Sequence, residues 1–526
     1  MRDSVQTINT TFKPIANLLA QSGPQLIQNK PLRKMIVKRL KKQMFEDLKT
    51  KRQEGNTVPG VDDDKTAFGL AIVNTLDRAI ENRYFSDKVM RTLFDIVAKD
   101  LFLKQGENRN IAEQFRIETG SNAPTFMVIS PGKACNLQCT GCYANAGIMT
   151  NEKLSWEIFD RIITEAKTLW GVRFFVISGG EPMAYRSEGK DLFDMAEKHN
   201  DCFFMMYTNG TLIDEKATER LAKIGNGTLI DEAFTDAMLK VRNFIPAISV
   251  EGFEQETDAR RGKGVFDKVI AGMERLRKAG VPYGMSLTAT CENAEEILSD
   301  EFMDYFYKEQ GVIYSWIFHY MPIGRSVSLN LMPSPQQRLW MWHKSWELIR
   351  EKSYFLADFW NHGTVCDGCL SAGSDTGGGY FYIDWNGTVS PCVFMPYSPV
   401  NINEAYQRGQ TLNDVWKEPF FASLRDWQKT YKDGNGNWLM PCPIRDHHAD
   451  LRKMIAVHQP EPSDESAREA LLDLDYAAGM DHYDREYQSL SSVIWQEHYL
   501  REIGPADHSI GDLPDISRLI EKQEAI

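Results

Sequence analysis

The chain has 526 residues, 42% of them hydrophobic and 25% charged, a composition typical of a globular protein with room for several domains. Its formal net charge of −13 argues against a nucleic-acid binder, which is normally basic. The sequence has neither an apolar run long enough for a transmembrane helix nor the apolar core of an N-terminal signal peptide, so we expect a cytoplasmic protein.

Residues 1–122 have a helical pattern and are expected to form an N-terminal helical region. Within the basic segment 31–52, apolar residues recur at every fourth position: Leu32, Ile36, Leu40 and Met44. A basic amphipathic helix can make a peripheral contact with an anionic inner-membrane surface, or it can pack its stripe on a core and leave its charges in water. A further helix is predicted over Tyr84–Leu103.

From residue 123 to residue 330 short strands alternate with helices. The predicted strands are Thr125–Ser130, Arg173–Ser178, Phe203–Tyr207, Phe244–Val250, Tyr283–Thr290 and Ile313–Met321. Between them the clearest helix is Trp156–Leu169. Six such units predict an α/β fold, a parallel sheet forming a partial (β/α)6 TIM-like barrel. Chemistry in such barrels lies at the carboxyl ends of the strands.

One short segment occurs twice. Asn209–Glu215 is repeated letter for letter as Asn226–Glu232, which points to a tandem duplication. The first copy follows the third predicted strand and should keep the strand-end position. We expect the second copy to form an extra helical turn or loop outside the barrel, although displacement of part of the site is the alternative.

The remaining chain divides into three parts. Residues 331–365 are predicted to be a helical connector rich in tryptophan, residues 366–455 contain a second cysteine cluster, and residues 456–526 form a polar helical tail.

Three cysteines directly follow the first predicted strand: Cys135, Cys139 and Cys142. Three thiolates on one short loop can hold three irons of a 4Fe–4S cluster and leave the fourth iron open to a small molecule. A zinc knuckle or unrelated buried thiols would be the alternative interpretation.

This spacing, with Tyr143 and Ala144 following, resembles the signature of the radical S-adenosylmethionine (SAM) family. The resemblance implies an enzyme with a three-cysteine 4Fe–4S cluster that binds SAM, cleaves it reductively to a 5′-deoxyadenosyl radical and abstracts hydrogen from a substrate C–H bond. It also implies an electron donor such as flavodoxin or ferredoxin. The family usually has an aromatic residue near the adenine just before the third cysteine. Here that position is Gly141, and Tyr143 is the nearest substitute.

The second predicted strand is followed by a segment that resembles the Gly-Gly-Glu-Pro element of the same family: Gly179, Gly180, Glu181 and Pro182. The resemblance implies that this element binds the methionine amino group of SAM. Alone, such a segment would be an ordinary turn.

Further strand ends carry candidate SAM contacts. Asn209 ends the third strand, and the resemblance implies that Ser249 and Glu251, at the end of the fourth, hold the ribose hydroxyls. Arg261 matches a position that often faces the SAM carboxylate. Each of these residues could instead be a surface or capping residue.

The sixth strand leads into Pro322-Ile-Gly-Arg325, which resembles the Pro-x-Gly-Arg turn of radical SAM proteins with an auxiliary cluster domain. His319 and Tyr320 lie at this strand end. Strand alternation is expected to send one of them inward and the other outward.

The second cluster consists of four cysteines: Cys366, Cys369, Cys392 and Cys442. The segment from Tyr380 to Cys392 is typical of a β-hairpin with an Asn-Gly turn and resembles the hairpin of SPASM and twitch domains. Four thiolates fit one fully ligated 4Fe–4S cluster, which we predict, or structural zinc, with no metal as the third alternative.

Four further side chains bear on this prediction. His447 and His448 are possible alternative ligands beside Cys442, whereas Cys202 and Cys291 are expected to be small core residues.

The sequence leaves the substrate open. A peptide and a lipid or isoprenoid are the two main candidates, with a small metabolite or sugar behind them. A non-catalytic iron–sulfur electron carrier or scaffold is the alternative from another class.

Overall fold

We analysed the chain in a computed structural model, which describes residues 29–55, 58–84, 107–147, 150–214, 243–374, 379–434, 436–501 and 509–521. Two sequence-based predictions lie outside these residues. They are the helix over 84–103, apart from its first residue, and the second copy of the repeat, Asn226–Glu232.

One ten-stranded sheet organises the described chain. Seven parallel strands cross it in chain order: β1 (Phe126–Ile129), β2 (Phe174–Ile177), β3 (Phe203–Thr208), β4 (Phe244–Val250), β5 (Gly284–Ala289), β6 (Ser315–His319) and β7 (Leu356–Asp358). Beyond β1 the sheet continues through β8 (Tyr380–Ile383), which is parallel to β1, and then through antiparallel β9 (Thr388–Ser390). A small separate sheet pairs β10 (Tyr397–Ser398) with β12 (Glu461–Pro462). Strand β11 (Val400–Asn401) forms the edge of the ten-stranded sheet beside β9.

Helices precede, connect and follow these strands. They are α1 (Lys30–Glu54), α2 (Pro59–Glu81), α3 (Glu107–Thr119), α4 (Trp156–Trp170), α5 (Leu192–Lys198), α6 (Glu254–Arg261), α7 (Val265–Ala279), α8 (Ala294–Ile297), α9 (Asp300–Asp304), α10 (Pro335–Lys352), α11 (Ile402–Gln407), α12 (Leu412–Trp416), α13 (Pro419–Asp433), α14 (His448–His458), α15 (Glu465–Leu472), α16 (Leu474–Ile494) and α17 (Ser517–Glu521). Helix α4 shows why these segments fold locally: Ser155 caps its first turn, Gly171 ends it, and its apolar face is buried.

The parallel α/β sheet is confirmed, and all six predicted strands are present within two residues at each end. Two further parallel strands were not predicted as part of it. Strand β7 lies within residues 331–365, so the expectation that this connector is helical throughout is wrong. Strand β8 belongs to the predicted hairpin and pairs directly with β1. A strand of three residues is too short to leave an alternating pattern in the sequence, which is why β7 was missed.

The N-terminal helices pack into the fold. The apolar stripe of α1 is buried, and Ile36, Leu40 and Met44 form one apolar cluster with Val73 of α2. Two pairs join α2 to later parts of the chain: Lys65 Nζ lies 2.6 Å from Asp367 Oδ1, and Arg350 Nη2 lies 2.9 Å from Asp64 Oδ1. The stripe that suggested a membrane contact is therefore used inside the protein. None of the described helices is long and apolar enough to cross a membrane.

Helix α16 packs against α10. Arg338 of α10 forms a fully buried ion pair with Asp446, and its guanidinium lies 3.8 Å from the ring centroid of Tyr487. The expected polar tail therefore buries an aromatic face against the rest of the chain.

Candidate active site

A cavity of about 410 Å3 opens at the carboxyl ends of the parallel strands. Alternate strand residues line it: Phe126, Val128, Phe174, Val176, Met205, Tyr207, Ser249, Ser286, Thr288, Trp316, Phe318, Ala357 and Tyr380. Because side chains from all of these strands face the same space, the sheet curves around it as a partial barrel. Strands β7 and β11 form its two edges, so the barrel is open over the described residues.

The first three cysteines lie on the loop after β1 and line this cavity. The Leu137 amide lies 3.4 Å from Cys135 Sγ, and Asn209 Nδ2 lies 3.8 Å from the same sulfur. Burial raises the pKa of the Cys135 thiol to about 11. Donors aimed at a sulfur favour its thiolate form, which is the form that binds iron.

The Pro-x-Gly-Arg turn holds the cysteine loop from the opposite side. Arg325 Nη1 donates to Cys139 O at 3.2 Å, and the Arg325 amide donates to Cys142 O at 3.0 Å. A Cβ at Gly324 would clash with the carbonyl oxygens of Cys142 and Tyr143. This turn therefore fixes the loop's backbone, a role that the sequence did not reveal.

Gly179 and Gly180 line the cavity where the β2 turn meets the cysteine loop. A Cβ at Gly180 would clash with the carbonyl oxygens of Lys133 and Ala134, so only glycine fits there. The Glu181 amide donates to Ala134 O at 2.8 Å, which ties the two loops together.

Glu181 and Pro182 are both buried, and neither is among the residues that line the cavity. The Glu181 carboxylate accepts bonds from Thr208 Oγ1 at 2.7 Å and from the Asn209 amide at 2.8 Å. Burial raises the pKa of Glu181. Its carboxylate therefore fixes the end of β3.

Asn209 and Ser249, from the ends of β3 and β4, both line the cavity. Besides its approach to Cys135, Asn209 Nδ2 donates to Asn136 Oδ1 at 2.9 Å, and Thr211 donates to Asn209 Oδ1. Asn209 thus connects the strand end to the cysteine loop.

Glu251 is buried beside two arginines of α6. It pairs with Arg260 at 2.6 Å and with Arg261, and its other oxygen accepts from the Thr288 amide at 3.0 Å. Both arginines line the cavity, whereas Glu251 does not appear among the lining residues. Glu251 therefore holds the two guanidinium groups at the wall, and Arg260 is a residue that sequence reasoning missed.

Tyr143 lines the cavity, and two hydrogen bonds hold its hydroxyl in place. That hydroxyl lies 2.6 Å from Ser178 Oγ and accepts from the Gly179 amide at 3.2 Å. Burial raises the pKa of Tyr143. Its ring centroid lies 6.0 Å from that of Phe394, two residues after Cys392. Tyr143 thus joins the first cysteine loop to the region of the second cluster.

The four later cysteines line the same cavity. Tyr380 donates its hydroxyl to Cys392 Sγ at 2.9 Å, and the Phe394 amide lies 3.5 Å from that sulfur. The Ser371 amide lies 3.5 Å from Cys369 Sγ. All seven cysteines predicted as ligands therefore face one space, although they come from segments more than 200 residues apart.

The other two cysteines and the two candidate histidines are placed elsewhere. His447 Nε2 bonds Met440 O at 2.9 Å, His448 Nδ1 bonds Ile444 O at 3.2 Å, and neither lines the cavity. Cys202 is buried in the core as expected, whereas Cys291 is only partly buried, so the expectation that it is a core residue is wrong; its thiol donates to Asn330 O at 3.0 Å. Over the residues with described positions, no three His, Cys, Asp or Glu side chains are grouped so as to hold a single metal ion.

Tyr320 faces the cavity with Phe318, whereas the fully buried His319 side chain bonds Asp358 on the opposite face of the sheet, as strand alternation predicts. Aromatic rings cover much of the same wall, including Phe359, Trp360 and Phe394. The sequence did not single out these rings, because aromatic residues in a strand pattern are typical of any core.

Comparison with known proteins agrees with this geometry. Residues 129–299 match the profile of the Radical SAM superfamily, and residues 375–443 match SPASM, an iron-sulfur cluster-binding domain. The AdoMet-dependent heme synthase of Methanosarcina barkeri is 26% identical over 337 residues, which are 58% of this chain and 86% of that protein. Mycofactocin maturase MftC of Mycolicibacterium smegmatis is 27% identical over 333 residues, 60% of this chain and 76% of that protein.

Among solved structures, Streptococcus suis SuiB bound to S-adenosylmethionine aligns with a TM-score of 0.46 and 18% identity. The alignment covers 69% of this chain and 83% of that one.

The fold is an open parallel barrel, and two sets of cysteine thiols line the cavity at the carboxyl ends of its strands. This arrangement is typical of an enzyme that uses iron–sulfur clusters. With both profiles matched, the chain is a radical SAM enzyme with a C-terminal SPASM domain. Its cofactors are accordingly SAM with a 4Fe–4S cluster and at least one further iron–sulfur cluster. The donor set fits these groups, since two separate sets of thiols face one cavity and amide donors approach three of the sulfurs.

Proposed function

We propose that this enzyme modifies a peptide by removing a hydrogen atom from a C–H bond of one residue. Bound SAM would supply a 5′-deoxyadenosyl radical, formed together with methionine by one-electron cleavage of its sulfonium C–S bond, and this radical would take up the hydrogen atom and leave as 5′-deoxyadenosine. The chain's own residues bind and orient SAM, admit the substrate group and keep water out.

The observation that carries the proposal is the convergence of all seven predicted cysteine ligands on one cavity of about 410 Å3. Pockets that bury one drug-sized ligand measure roughly 300–1,000 Å3. SAM and the clusters held by the lining cysteines would take up much of this space, so what remains suits a single side chain better than a complete macrocycle. An extended peptide can present one side chain and leave the rest of its length outside.

We assign the candidate residues as follows within this proposal. Cys135, Cys139 and Cys142 hold the SAM-binding cluster. The backbone of Gly179 and Gly180 receives the methionine amino group, with Glu181 and Pro182 supporting that turn from below. Asn209, Ser249, Arg261 and Tyr143 contact SAM, and Glu251 acts through Arg261.

Cys366, Cys369, Cys392 and Cys442 hold one auxiliary cluster in the proposal. With four protein ligands such a cluster has no open iron, so it serves electron transfer to or from the substrate radical. Flavodoxin or ferredoxin is the proposed source of the first electron.

Named relatives support a peptide and also offer a second candidate. Mycofactocin maturase MftC and the sporulation killing factor maturation protein SkfB of Bacillus subtilis, 25% identical over 181 residues, are maturation proteins. The heme synthase of M. barkeri favours a tetrapyrrole as the second candidate. The lipid alternative has less support, because the apolar stripe of α1 is buried against α2.

The first experiment tests the enzyme itself. After anaerobic reconstitution, the wild type with dithionite and SAM should release 5′-deoxyadenosine. Cys139→Ala should lose both this product and the SAM-dependent change in the cluster's electron paramagnetic resonance (EPR) spectrum. Cys291→Ala is the matched control, because Cys291 lies outside the cavity, and it should keep both. A loaded wild type that forms no 5′-deoxyadenosine would favour the non-catalytic electron carrier.

The second experiment tests the substrate class. Short peptides encoded beside the gene are added to the reconstituted enzyme, and coproporphyrin is added in a parallel reaction. Peptide-dependent 5′-deoxyadenosine with a matching mass change in the peptide supports the proposal. Turnover of coproporphyrin without turnover of any peptide would replace it by the tetrapyrrole function.

A further inference from the structure

Cys442 differs from the other three cysteines of the second set in how the chain holds it. Cys366 and Cys369 share one short loop, and Cys392 comes two residues after β9. Cys442 lies between α13 and α14, where the described residues form neither a helix nor a strand. Contacts with distant parts of the chain must therefore determine where its thiol lies.

A fully buried carboxylate holds the backbone of Cys442 at two atoms. Asp446 Oδ2 accepts from the Cys442 amide at 3.1 Å, and the Asp446 amide donates to Cys442 O at 2.8 Å. The two peptide groups on either side of the Cys442 Cα are thereby fixed. Fixing both of them restricts the positions that the thiol can reach.

Arg338 of α10 holds the Asp446 carboxylate in turn. Its Nη1 pairs with Asp446 Oδ1, and its Nη2 lies 3.2 Å from Asp446 Oδ2. The same Nη2 donates to Leu439 O at 3.0 Å. Neither charged side chain has any exposed surface. Arg338 therefore bonds the loop at one residue before Cys442 and at one residue after it.

Asn361, just beyond the end of β7, fixes the guanidinium of Arg338. Its Oδ1 accepts from Arg338 Nε at 3.3 Å, and its Nδ2 donates to Asp358 Oδ2 at 2.9 Å. Asp358 is the last residue of β7, and the same Oδ2 lies 3.0 Å from Nε2 of His319, the last residue of β6. A continuous set of buried hydrogen bonds thus links the ends of β6 and β7 to Cys442.

The energetics of this ion pair favour a role other than stability. A buried ion pair adds little net stability, because the desolvation of both charges offsets their attraction. Groups that hydrogen-bond around a metal ligand orient that ligand. We propose that Arg338 is a positioning residue of the auxiliary cluster, which acts through Asp446 to place the Cys442 thiolate at the fourth iron. The inference rests on the proposed function, in which Cys442 is one of the four ligands of that cluster.

Two double variants separate the hydrogen bond to Cys442 from the two charges. Arg338→Met/Asp446→Leu, the apolar pair, removes the charges together with the acceptor of the Cys442 amide. Replacing a buried ion pair by apolar side chains of similar volume is often neutral for stability. Arg338→Gln/Asp446→Asn, the amide pair, removes the charges but keeps a side-chain oxygen that can accept from the Cys442 amide. Circular dichroism checks that both are folded after anaerobic reconstitution.

Iron content and EPR spectra with SAM added measure how fully the auxiliary cluster is assembled. SAM covers the open iron of the first cluster, so a 3Fe–4S signal then reports the auxiliary cluster. The wild type and the amide pair should each hold about eight irons per chain, because a complete cluster has four. The apolar pair should hold about seven and show a 3Fe–4S signal, since the iron that Cys442 binds is lost without its thiolate.

Arg33→Met/Asp77→Leu is the matched control, because this ion pair joins α1 to α2 and neither residue lines the cavity. It should keep the wild-type iron content. Three iron contents would overturn the inference: the wild-type value in the folded apolar pair, a loss in the amide pair, or only about four irons in the wild type. Failure of the apolar pair to fold would make the ion pair structural and would also overturn it.

The proposed function fails separately. A wild type that holds both clusters and modifies no peptide would refute the peptide function and leave the role of Arg338 intact. Peptide modification by a wild type whose apolar pair keeps every iron would support the function and remove only the role of Arg338.

Discussion

The ring of Tyr320 lies directly against the backbone of Gly141, so that a Cβ on Gly141 would fall 2.5 Å from Tyr320 Cε2. Gly141 has a φ of 65°, in the left-handed region that favours glycine. Tyr320 is held in turn by its hydroxyl, which donates to Ser326 O and accepts from the Ser328 amide, both at 3.3 Å. The aromatic residue missing before the third cysteine is thus replaced in space by a ring from the end of β6.

We predict that Gly141→Ala lowers the free energy of unfolding by about 1–3 kcal/mol through backbone strain and overpacking. Gly189→Ala is the control, because Gly189 has a φ of 75° with no heavy atom within 4 Å of a built Cβ. In Gly189→Ala the free energy of unfolding should fall only by the cost of placing alanine at a positive φ, because no neighbouring atom clashes with its Cβ. Denaturant unfolding of the anaerobic holoenzyme measures both variants, and equal losses would contradict the packing between Gly141 and Tyr320.

Glu251→Gln should weaken both the fold and SAM binding. The change leaves Arg260 and Arg261 near the cavity without their buried carboxylate, and breaking a buried pair costs roughly 3–5 kcal/mol. We expect SAM affinity, measured by anaerobic calorimetry, to fall at least tenfold as Arg261 loses its support. Glu254→Gln, at an exposed position of α6, should change neither quantity. Unchanged stability and affinity in Glu251→Gln would contradict this role.

Tyr380→Phe should make the auxiliary cluster harder to reduce. The Tyr380 hydroxyl donates to Cys392 Sγ, and hydrogen bonds to cluster sulfurs raise the reduction potential. A redox titration followed by EPR should therefore show a more negative potential with unchanged iron content. Tyr382→Phe, two residues along β8, is the matched control and should keep the wild-type potential. An unshifted potential in Tyr380→Phe would argue against Cys392 as a ligand.

Asp484 should make stability depend on pH. Burial, followed by the charge of Asp446, raises the pKa of Asp484 to about 8. Its Oδ2 accepts from the His448 amide at 2.9 Å, while its buried Oδ1 has no partner over the described residues. The folded state thus keeps a proton that the unfolded state releases near pH 4. This group's contribution to stability therefore falls as pH rises from about 4 to 8, by at most about 1.4 kcal/mol per pH unit.

Asp484→Asn lacks this proton. The difference in the free energy of unfolding between variant and wild type should therefore move in favour of the variant from pH 6 to pH 8. Denaturant unfolding at several pH values measures it. Asp475→Asn, at an exposed position of α16, is the control with a constant difference. A constant difference for Asp484→Asn as well would show that its carboxyl is ionised in the folded protein.

The basic helix α1 should not bring the protein to membranes. Its apolar stripe is buried, and Arg33 and Lys34 pair with Asp77 at 2.7 and 2.6 Å. We expect no flotation with vesicles rich in phosphatidylserine, even at low salt. Flotation that is lost in the double variant Lys38→Gln/Lys42→Gln, which changes two exposed lysines of α1, would restore the membrane alternative.

The sequence by itself determined the local chemistry and the strands. The spacing of Cys135, Cys139 and Cys142 restricts them to one loop, and the six strand segments are alternating or apolar runs whose bounds need no distant partner. The missing aromatic at Gly141 was also visible in the sequence. These features depend on neighbours within a few residues, which is why they could be predicted.

Only the tertiary structure decided which side chains meet. It brought Cys442 to the same cavity as Cys135, placed Tyr320 on Gly141, and turned Glu181 and Glu251 toward other protein groups. Each of these relations joins segments far apart in the chain, and their geometry depends on how the strands curve and on which hydrogen-bond partners burial leaves available. A local sequence pattern does not determine those distances. The loops that carry the cysteine ligands could therefore be predicted, whereas the aromatic wall of the cavity could not.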